Sequence, residues 1–453
     1  MNFINYLYAK KTLLIFNILV LGIFVIKIDS FVGERVGHST VLIDSKLYFF
    51  GGIKIDSYCS DEIFYLDVSK SFDIDSPPWK KLIDYTKIPF ASASAAMSLV
   101  NINGKSTVYL FGGEMQDINT DKDLSDSNVH TFDPKTFKWE TVSVKGVKGN
   151  GKIPEKRKNI NGVYDDDNGK LYIFSGLSFH KQDIVNEMLI FDTVNSMWSY
   201  GSTKNMPIGR IGYSATLLKN GVIAHIGGVL ENEKNIRINN IDLYDTTRDT
   251  WSLMIANNTS PIDDRSFHSA VLVYNETIIV YGGTKSKTTS KKVNPDVIVL
   301  NTQKKPFEWT VPHVTKNINH INSTSGHTAN LIGDYMIIAF GNITTASHQH
   351  HKEYNSDIYI MDIRNYTWVH KFEPRSNITD LTTTNTTDPT NPTNPTNQII
   401  TTKLTAQRLK NASIVFGVSV SIIIILSIIG FLCYKKRKNE KFRSKYLRHV
   451  PNE

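Results

Sequence analysis

The sequence contains almost no cysteine, and this absence limits how the protein is stabilised. Of 453 residues only Cys59 and Cys433 are cysteine, and Cys433 lies in a long apolar segment near the C-terminus. A disulfide within one domain is therefore excluded, and a folded domain must depend on its own packing. We expect Cys59 to be buried, with a disulfide to another chain as the alternative.

The sequence also lacks the short motifs that would identify an enzyme. It has no G-x-S-x-G, H-E-x-x-H or P-loop pattern. His348, His350 and His351 are close together, but no second group of ligands accompanies them at a fixed spacing. The acidic stretch 121–126 lacks the glycine and the distal glutamate of an EF-hand loop. We therefore predict no catalytic, cofactor-binding or metal-binding residue, and no cofactor.

The central part of the chain has no net charge. The whole chain carries +8, but residues 1–30 contribute +2 and residues 435–453 contribute +6, so the 404 residues between them are neutral. A protein that binds DNA or RNA concentrates basic side chains on its folded domain. Nucleic acid is therefore not among the predicted partners.

Two uncharged apolar segments predict the topology. Residues 12–26, preceded by Lys10 and Lys11, have the length and flanking charge of a signal-peptide core. An uncleaved signal anchor is the alternative. Residues 411–434 carry no charge, and a helix of that length extends about 36 Å, enough to cross a bilayer. The basic run that follows favours a cytoplasmic C-terminus. We predict a single-pass type I membrane protein whose main domain is extracellular or lumenal.

These segments divide the chain into five predicted parts. Residues 1–30 are a signal peptide, 31–373 a folded ectodomain, 374–410 a stalk rich in Thr, Asn and Pro, 411–434 a transmembrane helix and 435–453 a basic cytoplasmic tail. The tail is expected to associate with the anionic inner leaflet of the membrane. Cys433, at the membrane boundary, is a candidate for palmitoylation, with an ordinary apolar position in the span as the alternative.

Sequons of the form N-x-S/T agree with export of the main domain, because they are the acceptors of N-linked glycans in secreted proteins. The glycosylation candidates are Asn257, Asn258, Asn275, Asn322, Asn342, Asn365, Asn377 and Asn385. Asn257 and Asn258 overlap, so at most one of the two is expected to carry a glycan.

Six apolar segments end in glycine, and this recurrence indicates an internal repeat. Four end in a double glycine, whereas the third unit ends in Ser175–Gly176 and the sixth in Gly341–Asn342. The double glycines are Gly51–Gly52, Gly112–Gly113, Gly227–Gly228 and Gly282–Gly283. All six tryptophans follow the same period, at 79, 139, 198, 251, 309 and 368, so intervals of 53 to 60 residues mark six units. In four units an aspartate precedes the tryptophan by six residues.

Each unit predicts four antiparallel strands. The first follows an R-x-x-H/Y-S pattern at Arg35, Arg210 and Arg265, and Asn-Gly pairs predict tight turns to the second in several units. The second strand ends at the glycines, the third at the aspartate, and the fourth begins near the tryptophan. Six such sheets around an axis bury every apolar face against a neighbour. We expect the glycines to allow positive φ and close backbone approach, and the tryptophans to fill the space between sheets.

These landmarks resemble the kelch repeat. The resemblance rests on the double glycines and the aspartate-to-tryptophan spacing, and it covers roughly residues 34–372. It implies an all-β fold, a six-bladed kelch-type β-propeller followed by one C-terminal transmembrane helix, and usually a binding role. Kelch propellers also resemble galactose oxidase, whose copper site includes a Cys–Tyr cross-link. Tyr58 and its neighbour Cys59 would point to opposite faces of an extended segment, so a copper enzyme is kept only as an alternative.

The loops between second and third strands and the connections between units are expected to share one face of the propeller. Loop 114–128 is acidic, loops 144–158 and 284–292 are basic, and loop 342–356 contains the three histidines. Opposite charges on one face suit a protein or glycan ligand, with charges that only solvate the loops as the alternative. We predict a membrane-displayed binding module, and a secretory-pathway cargo or quality-control receptor is the second hypothesis.

Overall fold

The computed structural model describes residues 32–374, apart from 56–57, 83–87, 103, 125–128, 149–152, 287–289, 319–320 and 347–352. The chain divides into two units, Met1–Asn377 and Ile378–Glu453, and the described residues belong to the first. The predicted signal peptide, transmembrane helix, basic tail and nearly all of the stalk lie outside the described residues. So do His348, His350, His351, Asn377, Asn385 and Cys433. Within the described ranges, no helix has the length and apolarity needed to span a bilayer.

Six antiparallel sheets, each with four main strands, form the blades of a propeller, and in each sheet these strands lie in chain order. Blades 1 to 3 consist of Ser39–Ile43, Lys46–Phe50, Ile63–Asp67 and Trp79–Lys81; Ala96–Ile102, Lys105–Phe111, His130–Asp133 and Lys138–Thr141; and Gly162–Asp165, Lys170–Phe174, Met188–Asp192 and Met197–Tyr200. Blades 4 to 6 consist of Ser214–Leu217, Val222–Ile226, Asn240–Asp245 and Thr250–Ile255; Ser269–Val273, Thr277–Tyr281, Val297–Asn301 and Glu308–Thr310; and Thr328–Ile332, Tyr335–Ala339, Ile358–Asp362 and Thr367–Val369. The predicted all-β six-bladed architecture is confirmed.

The first strand of each blade is innermost, and each packs beside the first strands of both neighbouring blades, so the six blades close into a ring. Blade 1 meets blade 6 at the predicted seam, where Gly341 N–H donates to the carbonyl of Arg35 at 2.9 Å. An extra pair of short strands clasps the rim of this seam, Phe72–Asp73 against Lys371–Phe372. Val32 and Phe372, near the two ends of the described chain, lie in the same hydrophobic cluster at this seam.

The hydrophobic core consists of six clusters, one between each pair of neighbouring blades. Several tryptophans of the fourth strands contact an aromatic residue at the end of the second strand of the preceding blade. Ring centroids are 6.1 Å apart for Phe50 and Trp139 and 4.9 Å apart for Phe174 and Trp251. The prediction that the tryptophans fill the space between blades is confirmed.

The double glycines stand at points of close approach between neighbouring blades. Gly51 and Gly52 both have positive φ, and a Cβ on Gly51 would lie 2.0 Å from the carbonyl oxygen of Ser92 in the next blade. Gly52 N–H donates to that same oxygen at 2.8 Å. A side chain at Gly51 would therefore displace a hydrogen bond between blades, as well as strain the backbone.

The sixth unit corrects the register expected from its sequence. Phe340 and Gly341, with φ of 60° and 97°, occupy the place of the double glycine, one residue earlier than the pair Gly341–Asn342. The pattern was misaligned because Phe340 fills the first position, where it packs against Trp79 with ring centroids 5.8 Å apart.

Candidate binding face and central cavity

In every blade a hairpin follows the end of the second strand, where the glycines lie. We call this end of the second strand the glycine corner. After the glycines the chain forms a short bridge with the segment that precedes the inner strand of the same blade, such as Ile53 with Val36, and then folds back on itself, as Ile53 does with Cys59. The closing pairs of these hairpins are Ile53 with Cys59, Gln116 with Asp123, Leu177 with Ile184, Val229 with Asn235, Thr284 with Lys292 and Asn342 with Tyr354. Together with the described residues between them, we call these pairs the crown. For the described residues the predicted arrangement of these loops on one face is confirmed, but their pairing into hairpins was not predicted.

Among the described residues, a crown hairpin or the segment that leads into it is bonded to the next hairpin or to the connection between blades at five of the six junctions. The contacts are Cys59 N–H to Gln116 Oε1 at 3.0 Å, Lys158 Nζ to Glu114 Oε2 at 3.0 Å, Ile184 N–H to Glu231 Oε2 at 3.1 Å, Asn235 Nδ2 to the Thr284 carbonyl at 3.1 Å, and Lys292 N–H to the Thr345 carbonyl at 2.9 Å. The crown is thus one connected platform. The Lys158–Glu114 pair also joins the predicted basic and acidic loops, so part of their charge is neutralised internally.

The exposed tips of the crown differ from blade to blade. Ile55, Tyr58 and Ile118 expose 64%, 51% and 44% of their surface on the adjacent hairpins of blades 1 and 2. Blade 3 presents Lys181 and blade 4 presents Glu233, both exposed. Apolar and aromatic side chains bordered by charge are typical of a protein-binding surface.

A ring of backbone hydrogen bonds surrounds the propeller axis beside the crown. Its six residues precede the inner strands and have φ between 54° and 66°, namely Gly37, Ser94, Asn159, Gly212, Phe267 and Gly326. Five bonds between neighbours have lengths of 2.6 to 3.0 Å, including Gly37 N–H to the carbonyl of Gly326 across the seam. Sequence reasoning missed this ring, because three of its members are not glycine.

The ring and the first residues of the inner strands line an open cavity of about 330 Å³ on the axis. Its described lining contains no Asp, Glu, Lys or Arg. Histidines of three blades reach back to the hydroxyl of the preceding blade at 2.7 to 2.9 Å, in the pairs His38–Thr328, His268–Ser214 and His327–Ser269. These contacts explain the H-S end of the R-x-x-H/Y-S pattern.

Burial lowers the pKa of His268 and of His327 to about 3, so both imidazoles are neutral at physiological pH. The wall of the cavity is therefore polar and uncharged, which suits water or a neutral polar group.

The arginine of the R-x-x-H/Y-S pattern stabilises the glycine corner at the base of the crown. The guanidinium of Arg35, fully buried, donates to the carbonyl of Gly51 at 2.9 Å and to Glu62 at 3.0 Å. Arg210 repeats the arrangement with Gly227 and Asp242. These arginines fix the start of the hairpins of blades 1 and 4 and are not available to a ligand.

Cys59 lies half-buried on the hairpin of blade 1 rather than fully buried as expected. Burial, followed by the nearby carboxylate of Glu114, raises the pKa of its thiol to about 12, so it stays protonated. Among the described residues no group of three His, Cys, Asp or Glu side chains is arranged to hold a metal ion.

The described sequons fall into two groups. Asn257, Asn258, Asn275 and Asn365 are exposed. Asn275 lies between first and second strands and Asn365 between third and fourth strands, on the face opposite the crown. Asn322 and Asn342 are half-buried, and Nδ2 of Asn342 donates to Ser290 Oγ in the neighbouring hairpin. Glycosylation of any of them stays a prediction.

The blades, the glycine corners and the ring define a β-propeller built from kelch-type units. The chain matches the family model described as the KLHDC2/KLHL20/DRC7 Kelch-repeats domain over residues 97–338 and 212–379. These matches together cover more than half of the chain, so it belongs to that kelch-repeat family.

Curated relatives and a solved structure agree with this assignment. The chain is 27% identical over 273 residues to Kelch domain-containing protein 3 of Rattus norvegicus, covering 56% of this chain and 65% of that protein. It is 26% identical over 278 residues to Kelch domain-containing protein 1 of Mus musculus, covering 55% and 63%. In both cases it spans less than two thirds of the relative's length. A solved structure titled "Structure of YjhT" superposes with a TM-score of 0.54 at 15% identity, covering 73% of this chain and 96% of the other, which shows the fold alone.

Proposed function

We propose that this protein is a single-pass type I membrane protein that displays its propeller outside the cytoplasm and binds a protein or glycan partner through the crown. The observation that carries the proposal is the crown itself. Its described residues are joined by hydrogen bonds between blades, yet Ile55, Tyr58 and Ile118 are exposed on the adjacent hairpins of blades 1 and 2. Large apolar side chains exposed on a folded surface are characteristic of interaction sites.

Two features of the sequence support display on a membrane. The uncharged segment 411–434 is followed by eight basic residues, which favours a cytoplasmic C-terminus, and the signal-like segment 12–26 supports export. The exposed sequons Asn275 and Asn365 lie opposite the crown, so glycans there would leave the binding face free.

The proposal treats the protein as a binding module rather than an enzyme. Tyr58 exposes half of its surface and the Cys59 thiol has a raised pKa, and neither property favours a copper-bound Cys–Tyr pair. A copper determination on the purified protein separates the two classes, since a stoichiometric ion would support the galactose-oxidase-like alternative.

Topology is tested with the full-length chain, tagged at its C-terminus, in a eukaryotic host. We expect N-glycosidase treatment to increase its gel mobility and an antibody to reach the tag only after the cells are permeabilised. A chain that shows no mobility shift, or whose tag is accessible on intact cells, would refute the proposed orientation.

The binding face is tested by photo-crosslinking from defined positions. A photoreactive residue at Ile118 in the crown is compared with one at Val194, which is 69% exposed on the opposite face. We expect Ile118 to give a specific covalent adduct and Val194 to give none. Adducts that form equally from both positions would show that the crown is not the binding face.

A further inference from the structure

The outer strand of blade 4 differs from the other five outer strands. Thr250–Ile255 has six residues, whereas the others have three or four. It exposes 54% of Leu253 and 62% of Ile255. A long apolar strand at the edge of a sheet invites pairing with another chain, and proteins usually protect such an edge.

Three blades protect their outer strands with a parallel segment from the preceding connection. Asn257–Asn258 pairs with the outer strand of blade 5 and Thr315–Lys316 with that of blade 6. In blade 3 the segment around Val147 does the same, with Lys148 N–H donating to the Trp198 carbonyl at 2.8 Å. The backbone edges of these blades are therefore already occupied.

Blades 1 and 2 protect their outer strands with charge. Lys80 and Lys81 are exposed on the outer strand of blade 1, and Lys138 and Glu140 on that of blade 2. Charged side chains on an edge strand disfavour pairing, because they would be desolvated against the second chain.

Blade 4 has neither form of protection among the described residues. Residues 250–256 contain no charged side chain. The preceding connection reaches only the start of the strand, where the Trp251 indole donates to the Ser202 carbonyl at 3.0 Å. No described residue pairs its backbone with the outer side of Thr250–Ile255.

The register of blade 4 shows which backbone groups face outward. Ala256 N–H donates to the carbonyl of Asn239 at 2.9 Å, and antiparallel pairs alternate between hydrogen-bonded and non-hydrogen-bonded. The N–H and C=O groups of Trp251, Leu253 and Ile255 therefore point away from the sheet. These positions are symmetric about Leu253, so two copies of the strand could pair antiparallel around a two-fold axis there.

The chain leads from this strand directly into two overlapping sequons. Asn257 follows Ile255 by two residues, roughly 7 Å in an extended chain, and Asn257, Asn258, Thr259 and Ser260 are all exposed. We propose that an N-linked glycan on Asn257 or Asn258 shields the outer edge of blade 4 from pairing with a second copy of the chain. A glycan is bulky and strongly hydrated, so beside Ile255 it replaces the protection that other blades obtain from charge or from a covering segment. The inference rests on the proposed export of the propeller.

The test uses the full-length chain in a eukaryotic host, with Cys59 and Cys433 replaced by Ser and with Leu253→Cys as the reporter. Antiparallel pairing about residue 253 places the two cysteines within disulfide distance. We expect a disulfide-linked dimer on a non-reducing gel when Thr259→Ala and Ser260→Ala remove both sequons, and at least several-fold less dimer when the sequons are intact. Asn257→Gln with Asn258→Gln provides a second way to remove them.

Three controls define the result. Asn365→Gln, which removes a sequon on the opposite face, should not increase the dimer. Ser252→Cys should not cross-link, because its partner in this register is Met254. Adding Ile255→Lys to the sequon-free chain should abolish the dimer, because a charged side chain on the edge strand disfavours pairing with a second chain.

The inference is overturned if dimer yields are equal with and without the sequons, or if Leu253→Cys cross-links to another protein instead of to itself. Mass spectrometry separates this inference from the proposed function. Glycans on Asn275 or Asn365 but none on Asn257 or Asn258 would refute the shielding role alone, whereas no glycan on any sequon would also count against export.

Discussion

Replacing Gly51 with Ala tests whether the double glycine is required by close approach of the blades or only by its backbone angle. Gly51 has φ of 61°, and a Cβ there would lie 2.0 Å from the Ser92 carbonyl oxygen. Gly333, in a tight turn of blade 6, has φ of 59° but no atom within 4 Å of an added Cβ. The two glycines share a conformation and differ in their surroundings, so Gly333→Ala is the matched control.

The expected magnitudes follow from these geometries. Positive φ costs an L-residue about 1–2 kcal/mol, and this term is common to both variants. Only Gly51→Ala also displaces the hydrogen bond from Gly52 to Ser92, and an unsatisfied buried backbone group costs about 1–3 kcal/mol. We therefore expect Gly51→Ala to lower the free energy of unfolding by roughly 2–5 kcal/mol and Gly333→Ala by about 1–2 kcal/mol.

Urea unfolding followed by tryptophan fluorescence measures this difference, because the tryptophans lie between blades. Equal losses in the two variants would refute the close-approach argument and leave the backbone angle as the whole cause. Ser175, which occupies the same position in blade 3 with φ of 57°, provides a further check. Its hydroxyl accepts from Arg210 N–H at 2.7 Å, so Ser175→Gly should destabilise by about 1 kcal/mol rather than stabilise.

Three further predictions follow from single sites. Burial holds the pKa of His268 and of His327 at about 3, against 6.5 for an ordinary histidine, so the unfolded chain binds more protons between these values. Stability should be full above about pH 6.5 and fall as pH decreases towards 3, by up to about 1.4 kcal/mol per pH unit for each histidine. A His327→Asn variant should show a flatter pH profile in urea unfolding. With Cys433 replaced by Ser, the folded protein should react with a maleimide at pH 8 far more slowly than the unfolded protein, because the Cys59 pKa is raised to about 12; equal rates would contradict its burial. Phe372→Ala at the seam should cost about 3–5 kcal/mol, whereas Phe137→Ala, in a more exposed turn, should cost much less by the same measurement.

Most of the blade architecture could be predicted because its landmarks are local in sequence. The glycines, the aspartate that ends the third strand and the tryptophan recur at nearly fixed spacing, and each has one physical reason. Asp192, for example, accepts from the N–H groups of Val194 and Asn195 at 3.0 and 2.8 Å, which closes the turn before Trp198. A spacing of six residues is therefore the length of that turn.

The crown and the axial ring could not be predicted because their contacts are not local. Ile211 pairs with Val229 although an inner hairpin separates them, and no short pattern marks such a pair. The ring requires positive φ at Phe267, a residue type that rarely adopts it, so the sequence gives no sign of that conformation. Phe340 likewise adopts positive φ at the first position of the glycine pair in blade 6. This position could not be recognised from the sequence, because phenylalanine rarely adopts that conformation.

The seam between blades 6 and 1 is closed by an additional strand pair, Phe72–Asp73 with Lys371–Phe372, which we call the clasp. The clasp is not part of the repeat, and the connectivity of the chain explains why the fold needs it. At the other five junctions the chain itself connects the fourth strand of one blade to the first strand of the next. At the seam that covalent link is missing, and the shared contacts, such as His38 with Thr328 at 2.8 Å, only equal those between other blades.

The clasp supplies what the covalent link would have contributed. Phe72 and Phe372 stack with centroids 5.1 Å apart, and Val32 lies in the same hydrophobic cluster. Both ends of the described chain are thus buried at one junction. Opening of the ring should begin at this junction, because fraying of either end exposes the cluster that holds it closed. A strand pair that joins distant segments also reduces the freedom of the chain ends, so two residues on each side are enough to complete the ring.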